Sequence, residues 1–523
     1  MNGKYEFSQD AIDNFMFIHA YWKNSCDGIN AAPENKWGYK RGDIPFIDYL
    51  CEDKSKYPKA SEGISYITNK PLYDPDNDFF IGNSGGILMN IDFIVINIER
   101  LSKAADTFDE YGTYCDYDPS TPAYESFWQR ETSRRKKGVF IKAKLYYKDI
   151  PKFFDANTTD EERESLLQPL RITGAHYTYL NYGRIERTPN DKERAKLKRE
   201  GAEHVETVMG FPRYWDGDYW NFKIDEFIAN NKFHLTKAKA RRKGFSYKRG
   251  SQAANTINLF PNVTVTLAAD QLAYLTDKGA TTFMAKKCLD HFEEHTFWKR
   301  GYISEAIDDI LMGYRVSTKG LKNFGWLSNL YSVAIGKNES AAVGKKAIEI
   351  DFEEAGKCPN LQKALDVTLS NTESGAISVG TIRVYGTGGT KGANWAAFSK
   401  AFYNPKMNKM LCMENVWDIN KRHEVCGFFF PQVWDCEPYV ERGNSIIFTA
   451  YAWDKQDKEN HFHNNDSETH IIYKAQRANT PAEAFINTTE NMFASPELNL
   501  HVSDLINDNA TRFFQDGWIV VND

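Results

Sequence analysis

Residues 239–246 read Lys-Ala-Arg-Arg-Lys-Gly-Phe-Ser, and they decide the fold that we expect for this chain. The stretch follows an extended run at 231–236 and leads into residues 247–259, whose small and apolar side chains suit a helix. A strand, a tight glycine turn and a helix N-terminus together form an anion site, because unpaired N–H groups and the helix dipole face the anion. The stretch therefore predicts a phosphate-binding loop.

The predicted loop departs from the standard nucleotide-binding pattern, which is G-x-x-x-x-G-K-[ST]. Gly244 and Ser246 hold the positions of its last glycine and of the hydroxyl that binds magnesium. Phe245 stands where the pattern has its lysine, and no glycine begins the loop. A cation for the phosphates must therefore come from another position.

The loop itself supplies four candidates for that cation: Lys239, Arg241, Arg242 and Lys243. We favour Lys239, because it stands at the predicted strand end, five residues before Gly244. From there its long side chain reaches the phosphates from the other side of the loop. The other three candidates remain open.

Residues 348–356, which read Ile-Glu-Ile-Asp-Phe-Glu-Glu-Ala-Gly, supply the natural partner of this loop. Apolar residues alternate along the predicted strand, which ends in two adjacent carboxylates. In motor ATPases one such carboxylate holds Mg²⁺, and its neighbour orients and deprotonates the attacking water. We assign Glu353 to the metal and Glu354 to the water. Asp351 is the alternative metal ligand, although the catalytic glutamate would then not be adjacent.

A third motif lies at 382–390, which read Ile-Arg-Val-Tyr-Gly-Thr-Gly-Gly-Thr. This β-rich run ends in a small turn that carries hydroxyl groups, and in a parallel sheet such a turn falls beside the terminal phosphate of the nucleotide. Thr387 is then placed to sense that phosphate. Glycine-rich turns are also common as ordinary loops, so the weight of this motif comes from its order after the other two.

Together the three motifs resemble those of the ATPase half of the large terminase subunit of tailed bacteriophages, the motor that packs viral DNA into preformed capsids. The resemblance spans roughly residues 165–490, and its segments are similar in style to those of crAss-like phages. It rests on the variant loop with its lysine at the beginning, on the acidic motif, on the coupling motif and on two flanking segments: 239–246, 352–356, 386–389, 172–182 and 480–485.

The resemblance implies an α/β fold of the P-loop NTPase type (ASCE, RecA-like), with a mainly parallel sheet flanked by helices. We expect an added N-terminal region at 1–150, the P-loop ATPase domain at 151–440, and a C-terminal part of the ATPase region at 441–523. The family normally continues into a nuclease domain. The residues after Phe485 are too few for a domain of typical size, so we expect ATP hydrolysis but no DNA cleavage from this chain.

The resemblance also implies ATP and Mg²⁺ as ligands and assigns roles to the site residues. Those expected to bind the nucleotide are Lys239, Arg241, Arg242, Lys243, Gly244, Phe245 and Ser246. Those expected to hold the metal are Ser246 and Glu353, with Asp351 as the alternative. Those expected to act in catalysis are Glu354, Lys239, Arg242 and Thr387. Residues 213–216 are placed to receive the adenine, with core packing as the alternative reading.

The partners implied by the resemblance are double-stranded DNA, the portal protein and the small terminase subunit. The chain is expected to form a homo-oligomeric ring on the portal, in the host cytoplasm. Two other functions stay open: another P-loop nucleic-acid translocase, or a portal- or DNA-docking subunit that binds nucleotide without hydrolysing it. Phe245 in place of the lysine favours the docking subunit, whereas 386–389 and 172–182 favour the terminase.

Bulk composition restricts the function less than the motifs do. A net charge of −6 argues against a chain coated in nucleic acid, although a motor needs only a local basic patch. The eight cysteines show no CxxC spacing, which predicts reduced thiols rather than disulfides or a zinc site. The most apolar run, 87–98, is interrupted by polar residues and is too short to span a bilayer, so we expect no membrane partner.

Overall fold

A computed structural model describes most of the chain between residues 112 and 486 and shorter pieces on either side. The described residues are 6–26, 44, 73–74, 79–81, 87–89, 107–108, 112–145, 147–317, 320–336, 346–374, 377–389, 393–418, 421, 424–486 and 500–504. Of the apolar run at 87–98, only Ile87–Met89 falls within them, as a short strand.

The described segments alternate between helices and strands. The helices are Gln9–Cys26, Pro122–Lys137, Ile150–Phe153, Asp160–Leu166, Gly174–Tyr182, Asp191–Arg199, Asp216–Asn231, Phe245–Leu259, Ala273–Thr276, Thr281–His295, Leu361–Leu369, Ala393–Tyr403, Ile447–Asn464, Ser467–Gln476 and Pro481–Ala484. The strands are β1 (Tyr73–Asp74), β2 (Phe79–Ile81), β3 (Ile87–Met89), β4 (Val139–Lys144), β5 (Gln168–Ile172), β6 (Ile185–Arg187), β7 (Val208–Gly210), β8 (Leu235–Lys239), β9 (Thr264–Ala269), β10 (Tyr302–Ala306), β11 (Asp309–Met312), β12 (Tyr314–Ser317), β13 (Leu321–Phe324), β14 (Asn329–Ala334), β15 (Glu349–Phe352), β16 (Glu373–Ser374), β17 (Ile377–Ser378), β18 (Thr381–Thr387), β19 (Met413–Glu414), β20 (Val425–Cys426), β21 (Phe428–Phe430), β22 (Val440–Glu441) and β23 (Asn444–Ser445).

An eight-stranded sheet forms the centre of the fold, with strand order β10-β11-β14-β9-β15-β18-β8-β21. The six strands from β14 to β21 are parallel, and β10 and β11 extend the sheet as an antiparallel hairpin. Every residue of β8 and β18 is buried, as expected for parallel strands that are covered on both faces. The prediction of an α/β fold with a mainly parallel sheet is therefore confirmed.

The register of the parallel strands places the three sequence motifs at one edge of the sheet. Lys239, the last residue of β8, pairs with Thr387, the last residue of β18. Phe352, the last residue of β15, pairs with Val384 of the same neighbour, so the residues after β15 continue towards that edge. In open parallel sheets, ligands bind at this carboxyl edge.

Helices from the first 150 residues pack against elements that come much later in the chain. In Gln9–Cys26, the Phe17 ring meets Phe448 edge to face at 4.7 Å, and Asn14 accepts a hydrogen bond of 3.2 Å from the Phe448 N–H. In Pro122–Lys137, the buried Arg135 donates to Asn255 at 2.9 Å. The division of the chain at residue 150 stays a prediction.

The described helices include none that combines the length and the apolarity needed to cross a bilayer.

A network of six charged side chains, five of them buried and Glu349 partly exposed, ties the sheet to two helices. Lys237 Nζ lies 2.6 Å from Asp225 Oδ1, and Arg249 Nε donates to Asp351 Oδ2 at 2.7 Å. Burying an ion lowers the stability of a protein unless an opposite charge pairs with it. The three carboxylates here are matched by three cations, so the network has no net charge. The members are Asp225, Lys237, Arg249, Glu349, Asp351 and Arg383.

We expect Glu349→Gln to destabilise the protein in a manner that depends on pH. Burial raises the pKa of this carboxyl, but Arg249 and Arg383 outweigh burial and lower it to about 2. The resulting stability is present at neutral pH and is lost progressively as the pH falls from about 4.5 to about 2. The variant should lose about 3 kcal/mol of unfolding free energy at pH 7 and about 1 kcal/mol at pH 3.

Chemical denaturation at the two pH values measures this difference, with Glu161→Gln on an exposed helix surface as the matched control. Equal losses at pH 7 and pH 3 would contradict the pairing of Glu349 with the two arginines.

Candidate active site

The predicted order of strand, tight turn and helix is present between β8 and the helix Phe245–Leu259. Arg242 and Gly244 both adopt left-handed backbone angles, with φ of 62° and 65°. Gly244 is the N-cap of the helix and has no side chain that caps it. No side chain at Gly244 therefore accepts a hydrogen bond from the N–H groups of the first helical turn. Uncapped N–H groups at a helix start are a feature of anion sites.

The three sequence motifs line a single cleft of about 1230 Å³. This volume suits a drug-sized or nucleotide-sized ligand. The predicted site residues that line the cleft are Lys239, Arg241, Arg242, Lys243, Gly244, Phe245, Ser246, Glu354 and Thr387. Three segments that are far apart in sequence therefore meet at one concave surface.

Lys239 connects two of the motifs across the cleft. Its Nζ donates a hydrogen bond of 2.9 Å to Thr387 Oγ1 and lies 3.9 Å from Glu354 Oε1. Burial lowers the pKa of Lys239, and the carboxylates of Glu354 and Glu353 act in the opposite direction. The lysine that begins the loop is thus held between a hydroxyl and a carboxylate, the two groups expected near the terminal phosphate.

Glu354 occupies the corner where the chain leaves β15. Its φ of 50° is left-handed, and this turn follows directly on the buried Glu353. Its Oε2 lies 3.6 Å from Lys357 Nζ, so ammonium groups approach both carboxylate oxygens. The side chain lines the cleft together with Lys239 and Thr387.

Glu353 lies behind the cleft wall and is 4% exposed. Ser246 Oγ donates to its Oε1 at 2.7 Å, and Thr281 Oγ1 donates to its Oε2. Burial raises the pKa of this carboxyl to about 7. One carboxylate and two hydroxyl groups form a set of hard oxygen donors, which is the kind that Mg²⁺ prefers.

Thr281 is the site residue that sequence reasoning missed. It begins the helix Thr281–His295, a segment that carries no recognisable motif. Its contact with Glu353 arises because this helix packs against the loop helix Phe245–Leu259. Only the tertiary arrangement identifies it.

Asp351, the alternative metal ligand, points into the buried charge network. Its Oδ2 accepts from Arg249 Nε at 2.7 Å, and its Oδ1 lies 3.4 Å from Arg383. It does not line the cleft with Ser246. Within this structure the carboxylate that meets Ser246 is that of Glu353.

Two loop cations have their side chains engaged by the protein. Lys243 Nζ donates to the backbone oxygens of Gln432 and Trp434, at 2.7 and 2.6 Å. Arg241 donates to Gln476 Oε1 at 2.8 Å. The side chain of Arg242 is exposed at the cleft, and that of Lys239 points to the other two motifs.

The glycine turn after Thr387 packs against the predicted C-terminal motif at 480–485. The Gly389 N–H donates to the Ala484 carbonyl at 3.0 Å. A Cβ on Gly388 would lie 2.4 Å from that same oxygen, so only glycine fits this approach. The turn thereby connects Thr387 to the helix Pro481–Ala484.

The segment 213–216 divides between the cleft and the core. Arg213 and Trp215 line the cleft, whereas the buried Tyr214 stacks on the His176 ring at 5.6 Å. Trp215 is thus available to a ligand, and Tyr214 contributes to packing.

Comparison with known proteins gives matches at the level of structure alone. No protein-family model matches the chain, and no curated protein matches its sequence. The ATPase domain of the large terminase of Thermus phage P74-26 is 10% identical, with a TM-score of 0.31, over 55% of this chain and 97% of that one. A point mutant of that domain gives a TM-score of 0.30.

The large terminase of the thermophilic bacteriophage D6E is 11% identical, with a TM-score of 0.25, over 38% of this chain and 45% of that one. These overall superpositions are poor, so the chemistry of the site rests on this chain's own residues.

Replacing either of two lysines on one face of β8 should lower the stability of the protein by very different amounts. Lys237 is paired with the buried Asp225, so Lys237→Met leaves an uncompensated charge and should cost about 3–5 kcal/mol of unfolding free energy. Lys239 has a carboxylate partner only at 3.9 Å, on the partly exposed Glu354, so Lys239→Met should cost less than about 1 kcal/mol.

Chemical denaturation of the two variants in parallel gives the comparison, because each loses the same amine from the same strand. Similar losses of stability would mean that Lys239 is a structural lysine rather than one reserved for a ligand.

Proposed function

We propose that this cleft hydrolyses ATP. The observation that carries the proposal is the convergence of Lys239, Ser246, Glu354 and Thr387 at the carboxyl edge of parallel strands, beside a helix N-terminus. In the sheet, β18 lies between the loop strand β8 and the acidic strand β15. This order places the carboxyl ends of the loop strand, the third motif and the acidic strand side by side, as the proposed ATP site requires.

The residues of the cleft fit nucleotide phosphates and a magnesium ion. The uncapped first turn after Gly244 and the ammonium group of Lys239 would bind phosphate oxygens. Ser246 and Glu353, which already share a hydrogen bond, would hold Mg²⁺. When bound, the ion neutralises charge on the β- and γ-phosphates.

Glu354 is the proposed base for the attacking water. A bond forms from the water oxygen to the γ-phosphorus, the bridging bond to the β-phosphate breaks, and the water proton passes to Glu354. Lys239 and Lys357 approach the two oxygens of this carboxylate in the structure, at 3.9 and 3.6 Å. Arg242, exposed at the cleft, is the proposed cation for charge that develops on the phosphate.

Thr387 is the proposed sensor of the γ-phosphate. Its hydroxyl accepts from Lys239, so a phosphate that takes this lysine changes the hydrogen bonding of Thr387. The next residues, Gly388 and Gly389, contact the backbone of Ala484 closely. A change at Thr387 therefore has a short route to the C-terminal helices.

We further propose that the ATPase drives a phage terminase, of the crAss-like type that its segments resemble, that moves double-stranded DNA into a procapsid. This rests on the motif resemblance at 239–246, 352–356 and 386–389. The portal protein, the small terminase subunit and a homo-oligomeric ring in the host cytoplasm belong to the same proposal. The rival is a docking subunit that binds nucleotide without turnover, which Phe245 in place of the lysine favours.

ATP turnover with and without double-stranded DNA tests the proposal. Glu354→Gln should keep ATP binding but lose about 100-fold or more in turnover, because it cannot take the water proton. Lys239→Ala should lose ATP binding itself. Glu161→Gln, on an exposed helix, serves as the control and should match the parent.

Binding of ATP without hydrolysis by the parent chain, even with portal protein and DNA present, would favour the docking subunit. Full turnover by Glu354→Gln would remove that residue from its proposed role.

The contact between Thr281 and Glu353 gives a separate expectation for magnesium. Thr281→Val keeps the shape of the side chain but leaves Glu353 with one hydroxyl partner instead of two. The Mg²⁺ concentration for half-maximal turnover should then rise about tenfold, as for other residues that orient a metal ligand. Thr281→Ser keeps the hydroxyl and should restore the parent value; an unchanged Mg²⁺ requirement in Thr281→Val would argue against Glu353 as the metal ligand.

A further inference from the structure

The ring of Phe245 is held in a fixed position at the start of the loop helix. It is 6% exposed and stands where the standard pattern has its lysine. Phe430 of β21 meets it edge to face at 5.4 Å, and Tyr385 of β18 lies at 6.2 Å. These two strands flank β8 on either side, so the ring is packed from both neighbours of the strand that carries Lys239.

Three ammonium groups surround this ring. The Nζ atoms of Lys248, Lys239 and Lys237 lie 5.3, 5.6 and 5.8 Å from its centroid. A cation within about 6 Å of an aromatic face is attracted by the ring quadrupole, and the attraction strengthens when the pair is desolvated. All three lysines are buried.

The three lysines differ in their other partners. Lys237 has Asp225 at 2.6 Å, and Lys248 pairs closely with Asp218. Among the described residues, the carboxylate that approaches Lys239 within 4 Å is that of Glu354, at 3.9 Å. The ammonium group of Lys239 therefore depends more on the aromatic ring than its two neighbours do.

We propose that Phe245 is a positioning residue for Lys239, whose ammonium group its ring stabilises and directs towards Thr387 and the cleft. The lysine at the strand end and the aromatic residue at the helix start then form one unit: the lysine supplies the charge, and the ring holds the ammonium group in place. The interaction itself exists without nucleotide, and its consequence for ATP rests on the proposed function.

Fluorinated phenylalanines at position 245 test the interaction, because fluorine weakens the ring quadrupole with little change in shape. Monofluoro-, difluoro- and pentafluorophenylalanine are introduced into the full chain, and the denaturant midpoint is measured for each. The midpoint should fall stepwise with fluorination, and the fall should be smaller in a Lys239→Met background. An equal fall in both backgrounds would overturn the proposal, since the ring would then act through packing or through the other lysines.

The consequence for the nucleotide is measured as the dissociation constant of ATP. The pentafluoro variant and Phe245→Leu should bind ATP about threefold to thirtyfold more weakly, the range that a cation–π contact covers, and Phe245→Tyr should bind like the parent. A linear relation between the logarithm of the dissociation constant and the number of fluorine atoms supports the positioning role. Simple loss of packing would not vary with the ring quadrupole. Affinity that is independent of fluorination overturns it.

The two failures are distinguishable. A parent chain that binds no ATP refutes the proposed function, whatever the midpoints show. Coupling between position 245 and Lys239 in the unfolding experiment stands or falls without any nucleotide.

Discussion

The register of the parallel strands β8, β18 and β15 is the constraint on which the candidate site depends. It pairs Lys239 with Thr387 and brings Glu353 and Glu354 to the same edge. Side chains alternate between the faces of a strand, so a shift of one residue in β8 would turn Lys239 to the opposite face. The alignment of the hydroxyl, the amine and the carboxylates is thus a property of backbone pairing before it is a property of side chains.

Buried charge is the main energetic burden of this arrangement, and the structure divides it between two places. Lys237 belongs to the balanced network beneath the site, where Asp225 compensates its charge. Lys239, two residues further on the same strand, is buried with a weaker carboxylate contact. The paired charges of the network stabilise the fold, whereas the charge of Lys239 is only partly compensated. An anionic ligand in the cleft would compensate the charge of Lys239. Incompletely compensated groups of this kind are typical of sites that trade stability for function.

Each local sequence motif predicted the turn or strand formed by its own residues. The glycine turn before Ser246 and the strand that directly precedes Glu353 and Glu354 are both present in the structure. The partners were less accessible, because they depend on packing between distant segments. Thr281 carried no signal in the sequence, and only the structure shows that Asp351, the alternative metal ligand, accepts a hydrogen bond from Arg249.

By itself, the sequence determined the alternation of strands and helices, the α/β class and the three motifs, because local periodicity and turn chemistry are written in neighbouring residues. The tertiary structure decided which carboxylate meets Ser246, which lysine donates to Thr387 and what surrounds the ring of Phe245. Those outcomes are set by strand order and helix packing between residues more than 100 positions apart, as Ser246 and Glu353 are, and no local pattern encodes such distances.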